Sequence, residues 1–317
     1  MCVARATRPD RLGGVIPYRL GFAVKVLGNA GMKTTDTRRW QSGPHLSQSI
    51  QYLDAVFDYL EQIDVRVYRM SSSTVPYGTH PDLPGFDYRR QIEQCDQRLR
   101  ALGAKARRLG LRLSTHPGQY TVINSPDDSL AEKSLRDLEQ DALLLDALEQ
   151  PHEAVVVVHV GGSYGDHDAA LARWARSFER LSERAQRRVV VEHDERSFSL
   201  GDVLRLHEWT GVRVVYDLHH DRCTPTDGRG LADALATWPV HVRPKAHLSS
   251  PRLALPRPRL EAHADFVAPW DLRALLAAAT RPLDVMIEAK AKDLALLWLR
   301  RQADPGVAAA EKTGTKI

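Results

Sequence analysis

The sequence predicts one α/β domain, a (β/α)8 barrel of the TIM type, and three observations predict it. Short apolar runs alternate with longer amphipathic segments along most of the chain. Several of the runs are nearly continuous Val, Ile or Leu, as in strands buried on both faces. Polar residues that can do chemistry collect at the carboxyl ends of these runs, the end at which barrels carry their sites. An open, doubly wound sheet is the competing arrangement.

The candidate strands are "RLGFAVKVL" (19–27), "VRVYRMSS" (65–72), "LRLSTHP" (111–117), "AVVVVHVGG" (154–162), "RVVVEHD" (188–194), "RVVYDLHH" (213–220), "HVRPKAHLSS" (241–250) and "LDVMIEAK" (283–290). Between them, apolar spacings of three and four predict helices over 47–63 and 89–110, the second stopped by Gly110. Further helices fit 127–149, 168–185, 199–210, 228–238, 271–279 and 292–302. Strand followed by helix, repeated around one ring, places the barrel over 18–302, with tails at 1–17 and 303–317. The segment "SPRLALPRPRLEAH" (250–263) reads as a long loop after the seventh strand, and long loops in compact folds are often functional.

Composition narrows the function classes. The chain has 317 residues, 43% hydrophobic and 26% charged, an ordinary globular balance. It holds no apolar run long enough to span a membrane, and its basic start has no apolar stretch behind it to act as a signal. Its three cysteines, Cys2, Cys95 and Cys223, are widely spaced and form no C-x-x-C pair. That pattern fits a reducing cytoplasm and argues against disulfides or a thiolate zinc site. A net charge of +4 with pI near 9.0 permits nucleic-acid binding without demanding it.

The strand ends carry the chemistry. The third ends on His116, the fourth on His159 and the fifth on Glu192, followed by His193 and Asp194. The sixth ends on Asp217 with His219 and His220, the seventh offers Lys245 and His247, and the eighth Glu288 and Lys290. His80 and His263, in loops, are candidates to join them. In a barrel these positions converge on one face. A buried carboxylate or imidazole there costs several kcal/mol unless it is paired or metal-bound. Imidazoles mixed with carboxylates suit Zn²⁺ or Mn²⁺. The donors exceed one tetrahedral set, so two or three ions sharing a bridging carboxylate are expected, with Glu192 central. Such a cluster clamps phosphate and activates water, which points to phosphodiester chemistry; sugar isomerisation is the other barrel chemistry that uses such ions. His45, His152, His167, His207 and His241 read as structural. His219 would point away from His220 if the strand continued through it.

The motifs "LGF", "RMSS", "THPGQY", "VVHVGG", "VEHDERSFS", "DLHH", "PKAHLSS", "HADF" and "MIEAKAKDLALL" occur in this order over residues 19–297. Together they resemble the UV damage endonuclease family, relatives of endonuclease IV among the TIM-barrel metalloenzymes. The resemblance implies a cytoplasmic enzyme, at the nucleoid when it acts. It would nick damaged double-stranded DNA immediately 5′ of a photoproduct or an abasic site and leave a 3′-hydroxyl. It implies two or three divalent ions, Mn²⁺ first, with Zn²⁺, Mg²⁺ or Co²⁺ as alternatives. His116, His159 and Glu192 would hold one ion; Glu192, Asp217, His247 and Glu288 a second; His220 and His263 a third, with Asp265 a further candidate. Glu192, His80 and Lys245 are the implied catalytic residues, His80 near the scissile phosphate and Lys245 in the "KxH" position. A lysine among cations is tolerable if it binds phosphate, is neutral or is carbamylated.

The tip Gln119-Tyr120 follows a Pro-Gly turn and would wedge into the duplex, where a damaged step unstacks most cheaply. Arg252, Arg257 and Arg259 in the Pro/Arg loop are candidate phosphate contacts. The chain departs from the family pattern at Phe22 and Val26, where a tyrosine and an asparagine of the lesion pocket are usual, and at His193 and Asp221. A monomer is expected. A sugar isomerase on the same barrel, or a DNA-binding relative without nuclease activity, are the alternative readings.

Overall fold

The computed structural model describes residues 16–252 and 259–303. Strands β1 (Tyr18–Ala23), β2 (Val67–Arg69), β3 (Arg112–Thr115), β4 (Val155–His159), β5 (Val189–Glu192), β6 (Arg213–Asp217) and β7 (Lys245–Leu248) are followed by a small ribbon, β8 (Pro251–Arg252) with β9 (Arg259–His263). The last strand is β10 (Leu283–Ile287). Strands β1 to β7 and β10 close into a barrel in the order β1-β10-β7-β6-β5-β4-β3-β2, every pair parallel. Closure excludes the open doubly wound sheet. The tails at 1–15 and 304–317 lie outside the described residues, as does Arg257.

The valine-rich strands serve two layers. On β4, Val156 and Val158 pack with the surrounding helices, while Val155 and Val157 pack inward with Val190, Val215 and Trp238. On β1, Leu20 and Phe22 face the helices. Gly21, between them, has no room for a side chain: a Cβ there would stand 2.5 Å from the Val67 carbonyl oxygen. Local signals start the helices. His45 accepts from the Ser47 N–H ahead of Leu46–Gln62, and Asp127 from the Leu130 N–H ahead of Asp128–Ala147.

Four expectations change. The predicted helix 89–110 is two helices, Tyr88–Gln94 and Asp96–Arg108, joined at Cys95, and 168–185 divides into His167–Glu179 and Glu183–Arg188. The sixth strand stops at Asp217 and the chain enters the helix Leu218–Cys223. The reason is a cap: Asp217 Oδ1 accepts from the N–H groups of His219, 2.6 Å, and His220, 3.0 Å. The predicted loop 250–263 is closed by the antiparallel ribbon β8–β9.

The amino end of the barrel is held by charge. Asp284, fully buried on β10, takes two 2.7 Å bonds from Arg19 and one of 2.7 Å from Arg112 across the barrel. Burial alone would raise the Asp284 pKa, but Arg112 and Arg19 outweigh it and hold it low. The stability Asp284 contributes is therefore full above its unfolded pKa and is lost as pH falls through the lower folded value. Asp284→Ala strands two guanidinium groups and should destabilise the fold by about 3–5 kcal/mol at neutral pH. Urea unfolding of this variant checks it, and a loss within about 1 kcal/mol would refute the buried-pair account.

Candidate functional site

At the opposite end, the carboxyl ends of the barrel strands bring the expected donors together around Glu192. This carboxylate is fully buried at the end of β5. His116 Nε2 lies 3.2 Å and His159 Nε2 3.9 Å from its Oε2. His247 Nδ1 lies 2.9 Å and His220 Nδ1 3.4 Å from its Oε1. Glu288 joins through His247 Nδ1 at 3.2 Å. The donor atoms fall into three groups within 4.8 Å: His116, His159 and Glu192; Glu192, Asp217 and His220; Asp217, His247 and Glu288. His263 stands beside His220, ring centres 6.1 Å apart, and beside His219, 4.9 Å apart.

The donor set fits divalent metal, and the tautomers say so. His116 Nδ1 donates to the Pro117 carbonyl, His220 Nδ1 to the His193 carbonyl, and His263 Nδ1 to the Glu288 carbonyl. Each leaves Nε2 with its lone pair directed elsewhere, the arrangement metal-binding histidines adopt. Asp217 uses Oδ1 to cap a helix while its buried Oδ2 has no hydrogen-bond partner, and His159 Nδ1 and His247 Nε2 are likewise buried and unpartnered. Such orphans are rare without a ligand. Burial pushes the His116 pKa down to about 4 despite Glu192, so this ring is neutral. Burial also disfavours a charged His220, yet Asp217 and Glu192 push its pKa up to about 11: the field of the pocket draws positive charge.

The remaining expected residues occupy other places. Lys245 is fully buried deeper in the barrel, its Nζ donating to Ser114 Oγ at 3.0 Å. Burial and then Arg112 push its pKa well below the ordinary lysine value, against Asp284, which favours a neutral amine. Gln119 and Tyr120 form an exposed tip, Tyr120 at 75% exposure. His80 is exposed and stands in a cavity of about 480 Å³ with Tyr120 and Thr121, away from the donor groups. A second cavity, of about 370 Å³, lies against His159, His220, His263 and Glu288. Pro117, Gly118 and Thr121 line both, so the tip segment is the wall between them. Arg252 is exposed on the ribbon. Phe22 is fully buried, edge-on to Tyr68 at 5.5 Å, and Val26 is buried too; neither lines these cavities. His193 is a support: its Nε2 accepts from the Asp217 N–H at 3.0 Å. His219 does not point away on a strand but is buried on the helix beside His263.

Two contributors were missed in the sequence. Arg69, at the end of β2, pairs with Glu288. The strand-end rule that found the histidines would have found it. Asp137, on the helix Asp128–Ala147, accepts from Thr79 Oγ1 at 2.5 Å, Thr121 Oγ1 at 3.0 Å and Lys133 Nζ at 3.1 Å. It ties the residue beside His80 to the residue beside Tyr120, and no local signal announces that.

A closed parallel barrel whose strand ends present three histidine–carboxylate groups defines a TIM barrel with candidate metal-ligand groups at the end where barrel enzymes carry their sites. Comparison with known proteins agrees. The family model "UV-endonuclease UvdE" matches residues 38–312. The UV DNA damage endonuclease of Bacillus pumilus is 35% identical over 246 residues, 74% of each chain. The crystal structure of SacUVDE superposes with a TM-score of 0.77 at 25% identity, covering 90% of this chain and 97% of that one. Endonuclease IV from Thermus thermophilus shares the fold, with a TM-score of 0.57 at 16% identity over 90% of this chain and 98% of its own. This chain belongs to the UV-endonuclease UvdE family.

Asp137→Ala should leave the fold intact, with a stability loss of about 1–2 kcal/mol for the hydrogen bonds removed. It should make the segments around His80 and Tyr120 mobile. Faster amide hydrogen exchange confined to residues 77–82 and 117–122 is the expected result, and unchanged exchange there would remove Asp137 as their tie.

Proposed function

We propose that this chain is a metal-dependent DNA repair endonuclease that cuts immediately 5′ of UV photoproducts and leaves a 3′-hydroxyl, with abasic sites as further substrates. The observation that carries the reading is Glu192, a buried carboxylate ringed by His116, His159, His220 and His247, in a chain of the UV-endonuclease family. Family membership favours this over a sugar isomerase on the same barrel, and the complete donor set favours it over a non-catalytic relative.

His116, His159 and Glu192 would hold one ion, and Glu192, Asp217, His247 and Glu288 a second. His220 would serve a third with His263, and its group with Glu192 and Asp217 makes these two carboxylates, each present in two groups, the candidate bridges between sites. Mn²⁺ is the favoured ion. Bound there, divalent ions supply Lewis-acid polarisation of the phosphate and lower the pKa of an attacking water. The protein's own part is to hold these donors rigid: the main-chain carbonyls of Pro117, His193 and Glu288 fix three rings. Arg69 balances Glu288 on one side of the group.

Gln119 and Tyr120 would enter the duplex, the tyrosine ring stacking on bases for about 1–3 kcal/mol. Arg252 and Arg257 would meet phosphates, and His80 the scissile one, once the tip has bent the DNA towards it. With Phe22 on β1 and Val26 in the segment after it, where the family pattern has a tyrosine and an asparagine, the lesion range is the property most open to change. Association should weaken with salt as counterions leave the DNA. The enzyme would work as a monomer in the cytoplasm, at the nucleoid. No helix among the described residues is long and apolar enough to cross a membrane.

A nicking assay tests the proposal. End-labelled duplexes carrying one cyclobutane dimer, one abasic site or no damage are incubated with purified protein and Mn²⁺, with EDTA and Glu192→Gln as controls. The expected product is a cut directly 5′ of the dimer, lost in EDTA and reduced by about 10³-fold or more in Glu192→Gln, because the lost ligand removes transition-state charge stabilisation. Folded, metal-loaded protein that cuts no duplex would overturn the nuclease reading.

A further inference from the structure

Two residues on the carboxyl rim of the barrel hold a backbone that their side chains disfavour. Val24, just past β1, has φ +61°, and Lys292, the first residue of the helix Lys292–Ala303, has φ +50°. A left-handed backbone is rare outside glycine and a marked outlier at a β-branched residue. Such strain persists only where the surroundings enforce it, and it gathers at sites of function. Here the enforcing bonds are plain. The Val24 N–H donates to the Arg69 carbonyl at 2.9 Å, and the Tyr68 hydroxyl donates to the Val24 carbonyl at 2.6 Å. Asp293, the buried neighbour of Lys292, accepts from the Leu27 and Gly28 N–H groups at 2.8 Å each and from the Tyr59 hydroxyl at 2.7 Å. The segment after β1 is thus tied to the end of β2 on one side and to the start of the last helix on the other.

This framework brings positive charge together. Lys25 follows Val24 and is exposed, Lys292 is half-buried, and Arg69 ends β2 in its pair with Glu288. Burial lowers the Lys292 pKa, Arg69 and Lys25 push the same way, and Glu288 opposes them. The three cations therefore share one neighbourhood. Its carboxylates are already engaged: Glu288 by Arg69 and His247, Asp293 by N–H and hydroxyl donors. Among the described residues, no carboxylate forms an ion pair with Lys25 or Lys292. Two unmatched ammonium groups on a braced backbone call for an anion from outside. A phosphate suits them, since lysine meets it as a point charge. The contacts run from Glu192 to His247, Glu288 and Arg69 in turn, and the lysines gather around Arg69. A scissile phosphate has to reach Glu192 and the rings around it, so the phosphate at the lysines is a different one.

We propose that Lys25 and Lys292 form a seat for a non-scissile backbone phosphate of the cut strand, with Arg69 as the link between that seat and Glu288. The inference rests on the proposed function, because it takes damaged DNA as the guest. The strain at Val24 and Lys292 then has a use. It fixes the backbone under both amines before DNA arrives, so less freedom is lost on binding. Phosphate contacts set the register of a strand on a protein, and here register decides which phosphodiester lies at Glu192.

The test reads binding by fluorescence anisotropy, with full-length protein in Mn²⁺ carrying Glu192→Gln so that the DNA stays whole. Each duplex holds one thymine dimer, and in each a different phosphate of the cut strand is replaced by an uncharged methylphosphonate. Lys292→Met keeps the stem of the side chain and removes its charge. It should weaken binding of the all-phosphate duplex about tenfold, the lower end for a hydrogen bond to a charged group. It should also reduce the slope of affinity against salt by about one. One methylphosphonate away from the scissile position should cost the Lys292 protein about as much, and at that position alone the two losses should not multiply. A lysine that only supported the fold would multiply with every position alike. Unchanged binding, or losses that multiply everywhere, would overturn the seat, as would coupling at the scissile phosphate alone. Should Lys292→Met fold poorly, Lys25→Met, on an exposed side chain, gives the same cycle. Nicking by the parent protein is scored separately: a cut directly 5′ of the dimer with no coupled phosphate sinks the seat and spares the nuclease.

Discussion

The structure depends on keeping Glu192 charged where no water reaches it. Burial by itself would raise the pKa of this carboxyl, and the imidazoles of His247, His159, His116 and His220 reverse the sign and hold it well below the ordinary carboxylate range. Four rings can surround one carboxylate only if four chain segments end at the same height around it. A closed parallel barrel does this because its register is continuous: His159 pairs with Glu192 across β4 and β5, and Asp217 with His247 across β6 and β7. A shift of one residue on any of these strands would turn a donor into the helix layer.

The same constraint reappears along the barrel axis as alternating layers of charge. At the amino end, Arg19 and Arg112 enclose Asp284; above them Lys245 is held against Ser114; at the carboxyl end Glu192, Asp217 and Glu288 face the histidines and Arg69. Asp284 and Lys245 are register partners on adjacent strands, so the middle layer rests directly on the lower one. An excess of positive charge below and of negative charge above sets a field along the barrel. Lys245 and His220 are shifted in opposite directions within one barrel, because burial and then Arg112 lower the lysine, whereas Asp217 and Glu192 outweigh burial and raise the histidine.

Much of this was legible in the sequence because strand ends are a one-dimensional signal. An apolar run that stops on His, Glu or Asp names a position, and the barrel's symmetry assembles the positions. His116, His159, Glu192, Asp217, His220, His247 and Glu288 follow from that rule. The rule is blind to what helices and loops contribute. Asp137 sits at ordinary helical spacing on Asp128–Ala147, and its meaning comes from loop residues 58 and 16 positions away along the chain. The end of β6 differs from the sequence expectation for a local reason. "YDLHH" reads equally as a strand tail or a capped helix, and only the two main-chain bonds to Asp217 Oδ1 decide. The Pro/Arg segment lacked strand periodicity, yet a short ribbon needs only a few paired residues to form.

The tip ties these levels together. His116 is fixed by its own ring bond to Pro117, the next residue, so the candidate metal donor and the start of the proposed wedge are one unit. Thr121 closes the same segment by bonding Asp137, and Asp137 also holds Thr79 beside His80. Between these anchors only Gly118, Gln119 and Tyr120 are exposed. In the proposed complex, force applied to Tyr120 by the duplex would have two ways to travel: through Pro117 to His116 and Glu192, or through Thr121 and Asp137 to His80. A wedge mounted this way would sense the deformability of the DNA at the place where the proposed cutting groups are set. On the proposed reading, specificity for damage would rest on the stiffness of the tip's mount as much as on any contact with the lesion. A barrel suits that task because its strand ends yield little when pushed, whereas the same tip on a long free loop would bend before the duplex did.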